Sequence, residues 1–166
     1  MCGIAGFYDP GKSHLAARTY YADILERMNA VQHHRGPDDS GILLDDHVGL
    51  AHTRLAIIDP DKGRQPMSRT VDGRTWTIVY NGELYNTAEL RADLAARGWP
   101  FETSCDTEVI LVGVMEYGAE FVKRLNGIFA FAVYDPTHDR VTLFRDRCGV
   151  KPLFYAVLDG ELIFSS

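Results

Sequence analysis

GIFAFAVY, residues 127–134, is apolar at both parities. Ile128, Ala130, Ala132 and Tyr134 fall on one side, and Phe129, Phe131 and Val133 on the other. Successive strand side chains point to opposite faces, so a strand apolar at both parities is covered on both faces. Covering both faces takes further layers, and the flanking sequence supplies them. Downstream, Val141 to Phe144, Leu153 to Val157 and Leu162 to Phe164 read as short strands, the last two joined by Asp159-Gly160, a hairpin signal. Upstream, strands are expected at Cys2 to Tyr8, Ile42 to Leu44, Val48 to His52, Leu55 to Ile58 and Trp76 to Tyr80, the last ending at Asn81-Gly82. Leu15 to Gln32 has helical spacing, with Tyr21, Leu25 and Met28 on one face and Ile24 and Val31 beside it. Asn86 with Glu89 resembles a capping box that opens a helix through Leu90 and Leu94 to Arg97. Asp106 to Tyr117 reads as another helix, with acidic residues at its start where the macrodipole favours them. Sequential short strands with few helices predict antiparallel sheets whose outer faces the helices cover, a layered α+β domain.

The loop-rich segments, Asp9 to Ser13, His33 to Gly41, Asp59 to Arg74 and Gly98 to Cys105, are too short to be interdomain linkers, so residues 1–166 read as one domain. A net charge of −6 argues against nucleic acid or an anionic membrane as partner. No apolar run reaches the roughly 18 residues of a membrane span, and the N-terminus lacks the pattern of a signal peptide. Cys2, Cys105 and Cys148 are odd in number and irregularly spaced. They read as neither a disulfide framework nor a zinc site, and the expected compartment is the reducing cytoplasm.

Cys2 follows the initiator Met1, and its small side chain should permit removal of Met1. That leaves an amine beside a thiol, so nucleophile and base share one residue. Taken alone, a cysteine at this position is mostly an accident of sequence. The same holds elsewhere: Asn81-Gly82 is a common turn signal, Arg54 fits a surface ion pair, Asp106 fits a helix cap opened by Thr103, and Glu83 fits a solvated loop charge.

The ordered set decides between these readings. MCGIAGFYD at 1–9, HRGPDDSG at 34–41, AHTRLAIID at 51–59, YNGELYN at 80–86, SCDTEVI at 104–110, LNGIFAFAVYD at 125–135 and RDRCGVKPLFY at 145–155 run in register over nearly the whole chain. Together they resemble the N-terminal glutaminase domain of asparagine synthetase, a class II glutamine amidotransferase. The resemblance implies the N-terminal nucleophile hydrolase fold, a four-layer α-β-β-α sandwich of two antiparallel sheets. It also implies roles. Cys2 would be the nucleophile, its own amine the base, and Asn81 and Gly82 the oxyanion hole. Arg54, with Leu55 and Ile57 as backbone contacts, would hold the glutamine α-carboxylate, and Glu83 and Asp106 the ammonium group. Arg35 and Asp38, within Arg35-Gly36-Pro37-Asp38, would support the site, though the motif alone fits a tight turn equally well. Asp146, Arg147, Gly149 and Lys151-Pro152 would form a turn and a contact surface toward a synthetase half.

These roles suit the chemistry. A thiolate attacking an amide develops charge on oxygen that two preorganised donors can stabilise. Arg grips a carboxylate with two prongs, which Lys cannot do. His33, His34 and His52 lack a convincing metal-ligand set and read as solvent-facing or hydrogen-bonded. Cys105 and Cys148 read as ordinary thiols, with Cys105 near the pocket.

The expected activity is glutamine hydrolysis to glutamate and ammonia through a Cys2 thioester, with no metal or cofactor. The expected ligand is L-glutamine and the expected partner a synthetase domain or subunit that accepts ammonia; a homodimer is compatible. In the family that half uses ATP and magnesium, but this chain stops at Ile163-Phe164-Ser165-Ser166 with no Ser-Gly-Gly-rich nucleotide loop, so ATP chemistry is not expected of it. The alternatives are a class II amidotransferase with another acceptor, and a catalytically silent interaction module.

Overall fold

The structure, a computed structural model, describes residues 1–56, 59 and 62–166. The helical stretch opens as a 3-10 turn at His14–Ala17 before α1 (Arg18–Gln32), and the other α-helices among the described residues are α2 (Thr87–Ala96) and α3 (Asp106–Tyr117). The strands are β1 (Gly3–Tyr8), β2 (Asp39–Leu44), β3 (Val48–Arg54), β4 (Met67–Val71), β5 (Arg74–Leu84), β6 (Gly127–Asp135), β7 (Arg140–Arg145), β8 (Phe154–Leu158) and β9 (Glu161–Ser165). They form two antiparallel sheets, ordered β2-β3-β1-β9-β8 and β4-β5-β6-β7.

Three apolar clusters mark the layers. Leu25 of α1, with half-buried Tyr21, Ile24 and Met28, packs on Ala5, Phe7 and Ala51 of the five-stranded sheet. Ile4, Val48 and Leu50 of that sheet meet Val79, Ala130, Ala132 and Tyr134 of the other. Phe129, Phe131 and Val133 of β6 face Leu90, Leu94, Ile110 and Leu111 of α2 and α3. The two parities of GIFAFAVY thus fill two different cores, and the order helix, sheet, sheet, helices matches the expected layered sandwich.

Several local expectations are corrected. β5 runs through Asn81-Gly82 to Leu84, because β6 pairs with it continuously from Thr77 to Leu84 and overrides the turn preference of the dipeptide. The Asp59 to Arg74 loop contains β4, which pairs with β5 through the Asp72-Gly73 turn, both residues at positive φ. Strand β3 ends at Arg54, so Leu55 and Ala56 lie outside any strand, while Ile57 and Ile58 fall outside the described residues. Asn86 makes no side-chain cap; its amide instead joins Arg124 O at 3.0 Å and Asn126 N–H at 3.0 Å. Val31 is exposed, since α1 buries only the narrower stripe through Leu25.

Candidate active site

Alternation places the site. Cys2 shares its parity with Ile4, and Arg54 and His52 share theirs with Val48 and Leu50, so all three side chains belong to the face turned toward the second sheet. Asn81 shares its parity with Val79 and faces them from β5. Tyr80 and Leu84 fall on the opposite face with Ile78, toward α3. A cavity of about 210 Å³ opens there. Its walls include Cys2, Arg54, Leu55, Asn81, Gly82, Glu83 and Asp106. Of the residues assigned from sequence, Arg35 and Asp38 do not line it, and Ile57 lies outside the described residues.

Cys2 is half-buried, its Sγ 3.8 Å from the Leu55 carbonyl and its own carbonyl accepting Arg35 Nε–H at 3.2 Å. Asp38 Oδ2 accepts the Ala56 N–H at 2.8 Å, and the Asp38 N–H donates to Arg54 O at 3.0 Å. The Arg35 to Asp38 loop therefore holds the backbone at Cys2, Arg54 and Ala56 and does not itself line the cavity. Gly36 is required at this approach, because a Cβ there would lie 2.5 Å from the Arg54 backbone. Arg54 is itself buried and donates from Nη2 to Asp59 O at 2.7 Å.

Asn81 is only 2% exposed, and its Nδ2 has no hydrogen-bond partner among the described residues. A buried donor left unsatisfied costs about 1–3 kcal/mol, a cost expected to persist where a ligand completes the bond. Gly82 follows. A Cβ there would meet Ile128 O at 2.5 Å, so only glycine lets β5 lie this close to β6. On the α3 side, Asp106 Oδ2 accepts Tyr80 Oη–H at 2.8 Å and Leu84 N–H at 3.1 Å. Burial, with the Asp106 carboxylate beside it, pushes the Tyr80 phenol far above its ordinary range, so it stays a proton donor to Asp106. The alternative of Asp106 as a mere helix cap is not what forms: the N-cap residue is Cys105, with no side-chain cap bond, and the Asp106 carboxylate bonds β5 instead.

Gly63, Gln65, Tyr80, Thr107 and Lys151, not assigned to the site from sequence, also line the cavity. Tyr80 and Thr107 adjoin assigned residues, which was a usable signal; nothing local marked Gln65. Lys151, expected on a contact surface, is buried in this wall because Asp146 folds its turn inward. Both Asp146 oxygens are used, accepting the N–H groups of Cys148 (3.1 Å), Val150 (3.0 Å), Lys151 (3.0 Å) and Phe129 (3.2 Å). Burial raises the Asp146 pKa, but these four donors outweigh it and hold the carboxyl below its ordinary range. His52 is fully buried, and its Nε2 donates to Tyr80 O at 3.2 Å. Burial lowers its pKa to about 4, leaving the ring neutral. Cys105 is buried in the wall, and burial pushes its thiol up. The wall thus sets cations Arg54 and Lys151 beside anions Glu83 and Asp106, a balance suited to a zwitterion.

The family model described as "Glutamine amidotransferase domain" matches residues 1–166. Over 166 residues the chain is 46% identical to asparagine synthetase [glutamine-hydrolyzing] 3 of Bacillus subtilis, covering all of this chain and 26% of that protein. Over 167 residues it is 40% identical to asparagine synthetase B [glutamine-hydrolyzing] of Escherichia coli, covering all of this chain and 29% of that protein. The chain therefore spans about a quarter of the length of the curated relatives it matches. Among solved structures, the glutamine phosphoribosylpyrophosphate amidotransferase of B. subtilis superposes with a TM-score of 0.77 at 20% identity, over 99% of this chain and 41% of that one, a likeness of fold.

Proposed function

The chain belongs to the glutamine amidotransferase domain family, and from that premise we propose that it hydrolyses the side-chain amide of glutamine through Cys2. The observation that carries the reading is the buried Asn81 amide, whose Nδ2 has no partner among the described residues, in the same cavity wall as Cys2 and Gly82. The Cys2 sulfur attacks the γ-carbonyl carbon, and the oxygen takes the charge between Asn81 Nδ2–H and the Gly82 N–H. The thiol proton passes to the α-amine, freed when Met1 is removed, and from there to the departing nitrogen. The C–N bond breaks, ammonia leaves, and a γ-glutamyl thioester remains. Water attacks the thioester, gives its proton to the same amine, and releases glutamate and the Cys2 thiol. Arg54 binds the substrate carboxylate, and Asp106 and Glu83 its ammonium. Met1 lines this cavity, so its removal both frees the base and clears space. No metal or organic cofactor enters these steps.

The test is glutaminase assay of a chain whose N-terminus is Cys2 by mass spectrometry. Cys2→Ala should abolish ammonia release with an unchanged circular dichroism spectrum; retained activity would reject the assignment.

The ammonia goes, in this proposal, to an ATP- and magnesium-dependent part of the asparagine synthetase type, in the cytoplasm. The 39–46% identity to glutamine-hydrolysing asparagine synthetases supports this acceptor, and no described helix is long and apolar enough to cross a membrane. The surface agrees. β8 is an edge strand whose Phe154, Tyr155, Val157 and Leu158 are each more than half exposed, a patch suited to burial against that acceptor. Adding the acceptor part in trans should protect the β8 amides from hydrogen exchange; unprotected β8 amides in a formed complex would place the interface elsewhere.

A further inference from the structure

β4 starts just short of the cavity. Its first pair is Met67 with Ile78, and extending that register backward would set residue 65 opposite Tyr80. Pro66 has no N–H with which to carry the ladder on. The Gln65 side chain takes over instead. Its Oε1 accepts the Tyr80 N–H at 2.6 Å, where a strand carbonyl would have sat, and its Nε2 donates to Thr107 Oγ1 at 3.4 Å. His52 holds the Tyr80 carbonyl at 3.2 Å. Further along the strand, the Leu84 N–H goes to Asp106 Oδ2 at 3.1 Å. Alternate residues of an antiparallel strand turn their N–H groups to the same edge. The Gly82 N–H therefore lies on this edge, between two N–H groups that side chains hold.

We propose that Gln65 is a positioning residue for the reaction: by holding the Tyr80 peptide it sets where Asn81 Nδ2 and the Gly82 N–H stand relative to Cys2. The inference rests on the glutaminase reading of the site. Tyr80 immediately precedes Asn81, so a shift of its peptide moves both oxyanion donors. Through Thr107, the neighbour of Asp106, the same side chain ties the β5 edge to the start of α3. It thereby fixes the distance from the oxyanion pair to the group that receives the substrate ammonium. Gln65 is half-buried and lines the cavity, so water can replace it on the Tyr80 N–H. The fold then survives its loss, whereas the donor geometry does not.

The experiment compares Gln65→Met, of similar length without the acceptor, with Gln65→Glu, which keeps an acceptor for the Tyr80 N–H, in the processed chain. Misplacing a reacting group by about 1 Å costs on the order of a hundredfold, so kcat of Gln65→Met should fall about tenfold to a hundredfold with KM within about twofold. Gln65→Glu should recover most of that kcat, and the urea unfolding midpoints of both should stay near wild type. Wild-type kcat in Gln65→Met, beside an active parent, overturns this inference alone. So does a loss of kcat in both variants that tracks a loss of stability. A wild-type chain with no glutaminase activity removes the reading of the site, and this inference with it.

Discussion

Replacing Asn81 with alanine should separate stability from catalysis. The side chain is 2% exposed, and its Nδ2 is a buried donor with no partner among the described residues. Such a donor costs about 1–3 kcal/mol, which the substitution removes. The atoms lost border an open cavity rather than close-packed core, so the packing penalty is small. Net stability should be unchanged or raised by up to about 1 kcal/mol, contrary to the usual loss on truncating a buried side chain. Catalysis should move the other way. Removing one oxyanion donor costs about 100-fold to 1,000-fold in kcat, or roughly 2.7–4 kcal/mol. Because the bond strengthens only as charge develops on oxygen, KM should stay near wild type. The assays are steady-state ammonia release and urea denaturation of the processed protein. A kcat within about threefold of wild type would show that Asn81 is not an oxyanion donor. A destabilisation above about 2 kcal/mol would show that Nδ2 is satisfied in the folded protein and that the orphan argument is wrong.

Gly82→Ala forces a Cβ to within 2.5 Å of Ile128 O, so β5 must move; kcat should drop at least about tenfold and stability by about 1–3 kcal/mol, read by the same two assays. Asp106→Asn keeps an oxygen for Leu84 N–H but loses the charge, so KM for glutamine should rise by roughly tenfold or more in steady-state kinetics while kcat changes less. His52 contributes a pH dependence. Its folded pKa, about 4, lies below the unfolded value of 6.5, so its contribution is intact above pH 6.5 and is lost as pH falls from there toward 4. The full loss is about 3 kcal/mol, and His52→Gln should flatten that part of a stability-versus-pH curve; an unchanged slope would refute it.

Elements whose signals are local are legible along the chain. The double apolar parity of residues 127–134 specified a strand covered on both faces, because alternation is a property of neighbouring residues. Residues 106–117 declared α3 by acid placement and apolar run, and the Asp159-Gly160 hairpin follows from two residues that accept positive φ. The set of matched motifs named Cys2, Asn81, Gly82, Arg54 and Asp106, and the cavity wall includes all five. Tertiary structure decided the rest. Asn81-Gly82 carries a turn signal, but the β6 ladder outweighs it and keeps both residues extended. β4 was hidden in a loop-like composition, since its pairing partner lies across a hairpin rather than in its own alternation. Where β4 begins is decided by Pro66, and that start leaves open the β5 edge on which Gln65, His52 and Asp106 converge. A pattern read along the chain reports which face a side chain takes; which backbone edge is left open, and which distant side chain closes it, depends on contacts that exist only after the sheets have met.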